Sequence, residues 1–577
     1  MQLAANVTPE DILDWQAIDW QQVYRIVKNL RQRIFRASKA GDLKKVRSLQ
    51  RLMLRCRANV LESVRRVTQV NQGKYTSGVD KVLVKTPAER AVLCQELSQL
   101  ELHKVHPVRR VYIPKKKGQR PLGIPAIADR CVQAMVKNAL EPFWEARFEG
   151  ISYGFRPGRG CHDAIERIYL LARGNTTRKW VLDADIEGAF DNLGHYPLQE
   201  AIGNFPAREL IKQWLKAGYV EEDMLFPTET GCPQGGVISP MLLNVALHGM
   251  EHALGVVYNG KGEAARGKYA LVRYADDFAV FCQTREDAEE AKRLLAEWLA
   301  TRGLRLSEAK TRICHLSEGF QFLGFDIRHY PAPNSSRSGY KVLIKPSQES
   351  VKQIRKKLKG IWRKHLGSPT VALINEMNPV IRGWSNYFRI GVASRVFSDL
   401  DDFMFNRAKR YAKRRHPLKS GRWQAQKYWG QHIGHRRDRW VFMDKRRHAT
   451  LQKFSWTRIE RHRLVPKTYS PDDPTLQDYW QQRRAKTSST EYRYRKLFNQ
   501  QHGLCPVCRQ PLENGEELHI HHVTPKKLGG TDALDNLRLV HFYCHRQIHS
   551  SSAPFEVRQL LEPWCGATRS PGSDGAG

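Results

Sequence analysis

Alternating apolar and polar positions mark two short strands around a pair of adjacent carboxylates. Residues 271–274 and 278–281 are rich in valine and aromatic side chains, and the Ala-Asp-Asp between them fits a hairpin turn. Residues 180–186 alternate in the same way, so Asp183 and Asp185 share one face of a third strand. If these strands pair, either side chain can approach the turn.

Helical spacing predominates elsewhere. Residues 346–366 carry lysines and arginines on one face, and the pattern predicts an amphipathic helix. In residues 231–244, two adjacent glycines allow close backbone approach to a ligand, and Pro240 suits the first turn of an apolar helix. The apolar positions of the amphipathic helix are Val351, Ile354, Leu358, Ile361 and Trp362.

Composition adds a partner class to this picture. A chain of 577 residues is expected to form three or four domains. Its 95 Lys+Arg against 58 Asp+Glu leave a net charge of +37, which favours nucleic acid as the partner. Residues 351–500 hold 36 Lys+Arg and 11 Asp+Glu, interleaved with aromatics, which is typical of packed basic surfaces rather than a disordered tail.

No order of residues near the N-terminus resembles a secretion signal, and no run of about 18 apolar residues occurs, so secretion and membrane spanning are not expected. Eight of the 11 cysteines are scattered singly, which suits a reducing compartment.

Asp276 and Asp277 allow two chemical interpretations. Asp is a favoured residue of solvated turns. Alternatively, paired carboxylates on a tight turn are hard oxygen ligands for Mg²⁺, which would require a third carboxylate. The candidates for that third ligand are Asp183, Asp185 and Asp191.

The C-terminal part has a different ligand chemistry. Two Cys/His pairs have the spacing of a tetrahedral structural zinc site, which would stabilise a small domain with little core of its own. These four ligands are Cys505, Cys508, His541 and Cys544.

Seven segments, in order, resemble the blocks of reverse transcriptases, and specifically of proteins encoded by bacterial group II introns. The resemblance covers nearly the whole chain. It implies an α+β multidomain fold: a right-hand polymerase with fingers and an antiparallel palm sheet, an α-helical thumb/maturase domain, and a small zinc-stapled ββα-metal HNH domain. The segments are RRVYIPKKKGQRPLGIP (109–125), SYGFRPGRG (152–160), DADIEGAFDN (183–192), PQGG (233–236), RYADD (273–277), LSEAKT (306–311) and FQFLGF (320–325).

The resemblance implies roles for the polymerase residues. Asp185, Asp276 and Asp277 would hold two Mg²⁺ ions, Asp277 less directly, and Asp183 would be structural. Phe190 matches the aromatic that lies under the incoming sugar and excludes a 2′-hydroxyl.

Further polymerase residues would contact the nucleotide. Lys115 and Arg120 would grip the triphosphate. Because this segment is a residue shorter than usual, Lys116 and Lys117 are alternatives to Lys115. Gln234 would lie beside the templating pair, and Lys310 near the pyrophosphate. For each lysine, a solvated face is the alternative.

The C-terminal residues resemble an HNH endonuclease. By that resemblance, His522 is the general base, Asn536 orients the water, and a single divalent ion is held by His521, His545 and His549. His519 stands where the family carries Asp or Glu, so an inactive nuclease remains an alternative.

The implied organisation is a series of domains, with the region from 340 to 460 either a maturase surface or a thumb that only tracks the template duplex. It comprises 1–80 (N-terminal RNA-binding extension), 81–330 (fingers and palm), 340–460 (thumb/maturase), 461–500 (basic DNA-binding connector), 501–555 (HNH endonuclease) and 556–577 (a tail expected to be disordered).

The implied function is that of an RNA-directed DNA polymerase, maturase and DNA endonuclease acting in intron retrohoming. Its partners would be the parent intron RNA, target DNA and deoxynucleoside triphosphates, in a bacterial cytoplasm and on the nucleoid, or in an organelle. Two alternatives are a reverse transcriptase with a non-intron role such as host defence, and a splicing factor whose enzymes have decayed. RNA with intron structure flanking the reading frame would discriminate between them.

Overall fold

A computed structural model describes residues 13–100, 103–114, 118–258, 264–266, 268–332, 338–431, 438–486, 492–514, 516–525 and 530–550. The tail at 556–577 and Lys115, Lys116 and Lys117 lie outside these residues.

Helices form the N-terminal part because apolar residues recur every three or four positions. In the first helix, Val23, Val27 and Leu30 lie on the buried face. The fourth helix begins with a capping box, in which Thr86 and Glu89 each bond to the other's backbone N–H. The four helices are α1 (Trp20–Lys39), α2 (Leu43–Arg55), α3 (Arg57–Arg65) and α4 (Pro87–Leu97).

A mixed sheet and a long buried helix follow. The sheet has the order β2-β1-β4-β5, with β1 and β4 parallel and the other pairs antiparallel. Helix α5 packs against α1, α2 and α3. The elements are β1 (Val108–Pro114), β2 (Gln119–Ile124), α5 (Ile127–Glu145), α6 (Cys161–Ala172), β3 (Trp180–Asp185), α7 (His195–Ile202), α8 (Arg208–Lys216), β4 (Tyr219–Glu221) and β5 (Met224–Phe226).

An antiparallel sheet of order β10-β3-β9-β8 forms the palm region. The predicted strands at 180–186, 271–274 and 278–281 are confirmed, and Pro240 lies in the first turn of its predicted helix. The elements are α9 (Ser239–Ala246), α10 (Met250–Ala253), β6 (Val257–Tyr258), β7 (Ala264–Arg266), β8 (Ala270–Tyr274), β9 (Asp277–Cys282), α11 (Arg285–Ala300) and β10 (Arg312–His315).

A three-stranded antiparallel sheet and four helices come next. The predicted amphipathic helix is confirmed, with Ile354, Leu358, Ile361 and Trp362 buried. The elements are β11 (Phe320–Phe322), β12 (Phe325–Pro331), β13 (Tyr340–Pro346), α12 (Gln348–Lys364), α13 (Thr370–Phe388), α14 (Ser394–Arg415), α15 (Gly421–Tyr428), β14 (Trp429–Gly430), β15 (Val441–Asp444) and β16 (Ala449–Thr450).

The C-terminal domain is an antiparallel strand pair followed by one short helix. It is preceded by two helices from the basic stretch for which the sequence showed no motif. The elements are α16 (Gln477–Lys486), α17 (Tyr492–Gln500), β17 (Leu518–His522), β18 (Leu537–His541) and α18 (Phe542–Ile548).

Two hydrophobic cores meet at the palm sheet because successive side chains of a strand face opposite ways. Leu182 of β3 belongs to a core that extends to the N-terminal helices and the C-terminal domain. Its neighbour Val181 belongs to a second core shared with α12, α13 and α14. None of the helices in the described part of the chain is long and apolar enough to cross a lipid bilayer.

Candidate active sites and metal centres

Three carboxylates meet at the end of the palm sheet. Strands β3 and β9 pair so that Asp185 lies opposite Asp277 in register. Asp276 occupies the two-residue turn between β8 and β9, beside its neighbour Asp277. All three side chains are half-buried, so they combine a defined position with access from solvent.

The turn that carries Asp276 is strained and closely packed. Ala275 has φ = +57°, a left-handed conformation that costs an L-residue about 1–2 kcal/mol. Gly154 packs against this turn, since a Cβ there would lie 2.4 Å from the Ala275 nitrogen. Because Gly154 has no side chain, the SYGF segment can pack directly against the turn that carries Asp276.

Asp276 and Asp277 both have raised pKa values, so they are harder to ionise than free carboxylates. Burial raises the pKa of Asp276, and proximity to Asp185 raises it further. Burial, together with the charges of Asp276 and Asp185, raises the pKa of Asp277 to about 7. Carboxylates held this close together favour a bound cation, although Lys310 balances part of their charge.

Lys310 Nζ lies 2.8 Å from Asp185 Oδ2. The family resemblance predicts that this lysine lies near the pyrophosphate. Asp183 projects from the same strand, but Arg312 Nε donates to its Oδ2 at 3.0 Å. The structure thus brings Asp185 to the turn and pairs Asp183 with an arginine.

The nucleotide-contact candidates form a short chain of hydrogen bonds. Arg120 Nε donates to Gln234 Oε1 at 2.6 Å, and Gln234 Nε2 donates to Asp191 Oδ2 at 3.3 Å. The glycine pair beside Gln234 approaches the protein's own chain, because a Cβ on Gly235 would lie 2.5 Å from the Gly123 oxygen. The tight approach therefore fixes Gln234 against β2.

Phe190, five residues after Asp185 in the sequence, is 7% exposed. Its ring meets that of Phe155 edge to face, with centroids 6.4 Å apart. Its backbone oxygen accepts a hydrogen bond from the Cys232 N–H. The backbone of Phe190 is therefore held by the loop that contains the PQGG segment.

Arg273 is a supporting residue that the sequence did not reveal. It is fully buried beneath the turn, and its Nη1 donates to Asn244 Oδ1 at 3.0 Å and to the Ala275 oxygen at 3.3 Å. Asn244 Nδ2 in turn donates to the Gly154 oxygen at 2.8 Å. The sequence signal that could have identified it is an arginine within an otherwise apolar strand, since charged residues are seldom buried without a partner.

The predicted zinc ligands come together in the C-terminal domain. Their ligand atoms lie within 4.8 Å of one another, and all four side chains are buried. His541 Nε2 donates to the Pro511 oxygen at 3.1 Å, which directs Nδ1 towards the thiols, 3.4 Å from Cys508 Sγ. Buried thiols and one oriented imidazole form the donor set of a structural zinc site.

The three histidines predicted to hold a divalent ion also come together. Ligand atoms of His521, His545 and His549 lie within 4.8 Å of one another. Both ring nitrogens of His521 are buried without a hydrogen-bond partner among the described residues. Since a buried polar group normally has a partner, this arrangement fits a metal ligand.

His519 lies beside this group. Its Nδ1 is 3.4 Å from His545 Nδ1, and its Nε2 is 3.6 Å from Glu517 Oε1. The carboxylate of Glu517 therefore lies near His519, the position at which the HNH family carries an acidic residue. His519 stands between Glu517 and the three histidines.

The candidate base and its companion asparagine have separate contacts. His522 Nε2 lies 2.8 Å from Asp532 Oδ1, an orienting carboxylate that the sequence did not single out. Asn536 Oδ1 accepts from the Thr524 N–H at 2.7 Å, and Asn536 Nδ2 donates to the backbone oxygens of Thr524 and Thr531. The observed contacts of Asn536 position the loop after His522.

The C-terminal domain docks on the N-terminal helices. Arg65 of α3 is 2% exposed, and its Nη2 donates to Cys544 Sγ at 3.2 Å and lies 3.6 Å from Glu516 Oε1. Gln547 Nε2 donates to the backbone oxygens of Gln16 and Ile18. The group of four candidate zinc ligands thus has a buried cationic neighbour from the N-terminal helices.

The basic middle of the chain exposes cations on α12 and α14, two helices that pack against each other, and these cations are called the basic ridge below. On α12, Arg355, Lys356 and Lys357 are exposed opposite the buried apolar face. On α14, Tyr411 is buried while Lys413 and Arg414 are exposed. Of the aromatics interleaved with these charges, Tyr411 and Phe442 are buried, whereas Trp440 is 58% exposed.

Four families match the chain: reverse transcriptase (RNA-dependent DNA polymerase) at residues 113–327, N-terminal domain of reverse transcriptase at 15–97, group II intron maturase-specific domain at 351–429 and HNH endonuclease at 505–551. Each match falls on one of the regions described above.

Curated relatives agree with these matches. Protein YkfC of Escherichia coli is 35% identical over 46% of this chain and 79% of its own length. The group II intron-encoded protein LtrA of Lactococcus lactis is 31% identical over 52% of this chain and 63% of its own length. A solved telomerase from Candida albicans with a telomeric RNA fragment covers 54% of this chain and 59% of its own at 13% identity, but its TM-score of 0.31 is too low to support an inference.

Proposed function

The chain belongs to the family of group II intron-encoded proteins, with reverse transcriptase, maturase and HNH endonuclease domains. On this basis, we propose that it assists splicing of its parent intron, nicks a DNA target and copies the intron RNA into DNA. The convergence of Asp185, Asp276 and Asp277 at the strand ends is the observation that carries the polymerase assignment.

In the polymerase site, two Mg²⁺ ions would activate the primer 3′-hydroxyl and neutralise the triphosphate. The three aspartates would hold these ions at the end of a right-hand palm. Lys310, close to Asp185, is placed to balance charge on the pyrophosphate. Arg120 would bind the triphosphate of the incoming deoxynucleotide, with Gln234 fixing its guanidinium.

In the nuclease site, a divalent ion would stabilise the leaving 3′-oxygen. His522 would take the proton from the attacking water, and Asp532 would orient its imidazole. Asn536 would keep the loop after His522 in place. A structural Zn²⁺ on the Cys505 cluster would hold the two strands and the helix of this domain together.

The basic ridge of α12 and α14 would bind the intron RNA. Arginine and lysine side chains on packed helices bind phosphates and recognise RNA by its shape. The match to the maturase-specific domain disfavours a thumb that only tracks the template duplex, and a polymerase with no intron partner. The intact aspartates disfavour a splicing factor whose enzymes have decayed. Such a protein would act in the bacterial cytoplasm and on the nucleoid, where intron RNA and DNA are both accessible.

The salt dependence of RNA binding tests the maturase assignment. Neutralising Arg355, Lys356 and Lys357 should reduce the slope of log K against log[salt] by about 0.7–0.9 per lost phosphate contact, and intron splicing should slow in parallel. Primer extension on a short template measures whether the palm is still intact. Unchanged RNA affinity and salt slope would assign RNA binding to another surface.

A further inference from the structure

A cleft of about 530 Å³ lies between the N-terminal helices and α18 of the C-terminal domain. Its volume is that of a typical small-molecule pocket, so it can admit one or two nucleotides but not a duplex. Both ends of the chain contribute to its walls. Its cationic lining residues are Arg65, Lys74, Lys85, Arg90 and Arg546.

Little of the positive charge of this cleft is compensated within it; the exception is Arg65, whose Nη2 lies 3.6 Å from Glu516 Oε1 and donates to Cys544 Sγ. None of the described residues that line it is acidic. Lys74 Nζ donates to the Gln69 oxygen at 2.7 Å, and Arg90 Nη2 donates to the Lys85 oxygen at 2.8 Å, so both cations bond neutral oxygens. Arg65 Nε and Nη1 are buried without a hydrogen-bond partner among the described residues. The cleft therefore favours an anion.

Aromatic rings accompany these cations. Tyr75 is 70% exposed, and Tyr543 lies across the cleft on α18. Lys74 Nζ is 5.3 Å from the centroid of each of these two rings. The exposed ring of Tyr75 and the half-buried ring of Tyr543, beside these cations, can form a platform on which an unpaired base stacks while its phosphate is neutralised.

The cleft is close to the candidate nuclease site. Tyr543, Arg546 and Gln547 of α18 line the cleft, whereas His545 and His549, on or just after the same helix, belong to the histidine group. An α-helix with its side chains is about 10–12 Å across, which corresponds to roughly three nucleotides at 3.4 Å each. One strand can therefore reach both sites.

We propose that this cleft binds unpaired bases of the DNA strand that the HNH domain cuts, within about three nucleotides of the scissile phosphate. The proposal rests on the nuclease function proposed above. Proximity to the histidine group favours DNA as the occupant, and stacking together with phosphate neutralisation gives binding with little dependence on sequence.

Cross-linking of the full-length protein locates the strand. A short oligodeoxythymidylate containing 5-iodouracil should cross-link to Tyr75 or Tyr543, and the cross-link to Tyr543 should fall at least about 5-fold in a Lys85→Ala/Arg546→Ala protein. Cross-links that map only to other regions would overturn the proposal. Equal cross-linking of Tyr543 by the matching oligouridylate would also overturn it and assign the cleft to RNA.

A nicking assay with abasic sites tests the contact during cleavage. A single abasic site should slow nicking by the protein–intron RNA complex about 5- to 100-fold at one position near the scissile bond. Tyr75→Ala should cause a similar loss, and the same abasic site should then have no further effect. Tyr196→Ala, at a tyrosine that is 76% exposed on the palm, is the matched control and should retain the full abasic effect.

Additive effects at every position would overturn the cleft assignment while leaving the nuclease function intact. If the wild-type protein nicks no DNA, the proposed nuclease function is wrong, and the cross-linking result alone decides whether the cleft binds a DNA strand.

Discussion

The palm carboxylates and the C-terminal cluster of Cys505, Cys508, His541 and Cys544 are two contrasting sets of candidate metal ligands. The palm offers half-buried oxygens at strand ends, with access left for substrate. The cluster offers three thiols and an imidazole that are at most 1% exposed. Hard, open ligands suit an ion shared with phosphates, whereas a buried tetrahedral set suits an ion that belongs to the fold. Losing the metal should therefore cost activity at the first site and structure at the second.

Replacing Asp276 and Asp277 by Ala should abolish primer extension, because the palm would lose two of its three candidate metal ligands. The fold should persist, since β8 and β9 are held by their backbone ladder. Extension kinetics measure the loss of polymerase activity, and thermal unfolding measures whether the fold persists. Extension above a few per cent of wild type would contradict the assignment, and nicking of DNA by the same protein is the internal control.

Replacing Cys505 by Ser should have the opposite outcome. A structural zinc contributes about 10–16 kcal/mol to the folding of zinc-finger peptides, so its loss should locally unfold residues 501–550. Zinc content and limited proteolysis are the measurements. Primer extension should remain. A protein that lost zinc but still resisted protease throughout this domain would show that zinc does not stabilise the fold there.

His522→Ala separates chemistry from structure within the same domain. General base catalysis contributes about 100- to 10,000-fold, so nicking of the DNA target should fall by that factor while zinc content stays the same. Asp532→Asn should give a smaller loss, because that carboxylate acts only through His522. Full nicking by the His522→Ala protein would refute its role as base, and a lower zinc content would show that the ligand sets are wrongly divided.

Arg65→Met tests whether the zinc cluster depends on a residue from the other end of the chain. Loss of an outer-shell partner typically lowers metal affinity about 10- to 100-fold, and competition with a zinc chelator should show a change of that size. Arg66→Met is the matched control, since Arg66 is the exposed residue that directly follows Arg65 at the end of α3. Equal zinc affinity in both variants would mean that the contact with Cys544 only packs the domains together.

Phe190→Val should have the smallest effect, because it changes selectivity at an otherwise intact palm. A ribonucleotide should be incorporated about 10-fold more readily relative to the deoxyribonucleotide, as expected when part of a steric pocket is removed. Single-nucleotide kinetics give this ratio. No change in the ratio would place the sugar discrimination on another side chain.

Sequence alone was sufficient for features set by local pattern. Strand alternation placed β3, β8 and β9, and Cys/His spacing grouped the four zinc candidates. The helical repeat of α12 similarly identified its buried face. In each case, the signal lies within a few neighbouring residues or in ligand chemistry with few alternatives.

Contacts between distant segments gave no such signal. Arg65 in a helix of mixed composition carries nothing that points to Cys544, and Asp532 lies in a loop that reads as ordinary turn sequence. The buried Arg273 appears as a charge within an apolar strand, and only the structure shows its contact with the Ala275 oxygen. Helix α16 was missed because its residues lack an apolar repeat.

The contact between Arg65 and Cys544 joins residues 479 positions apart. At a synthesis rate of about 5–20 residues per second, the ribosome needs roughly 24–96 s to deliver the second residue after the first. During that interval, the surface of α3 that will contact the C-terminal domain has no partner from that domain. Nascent N-terminal helices are therefore exposed to nucleic acid, including the transcript being translated, before the nuclease domain covers them.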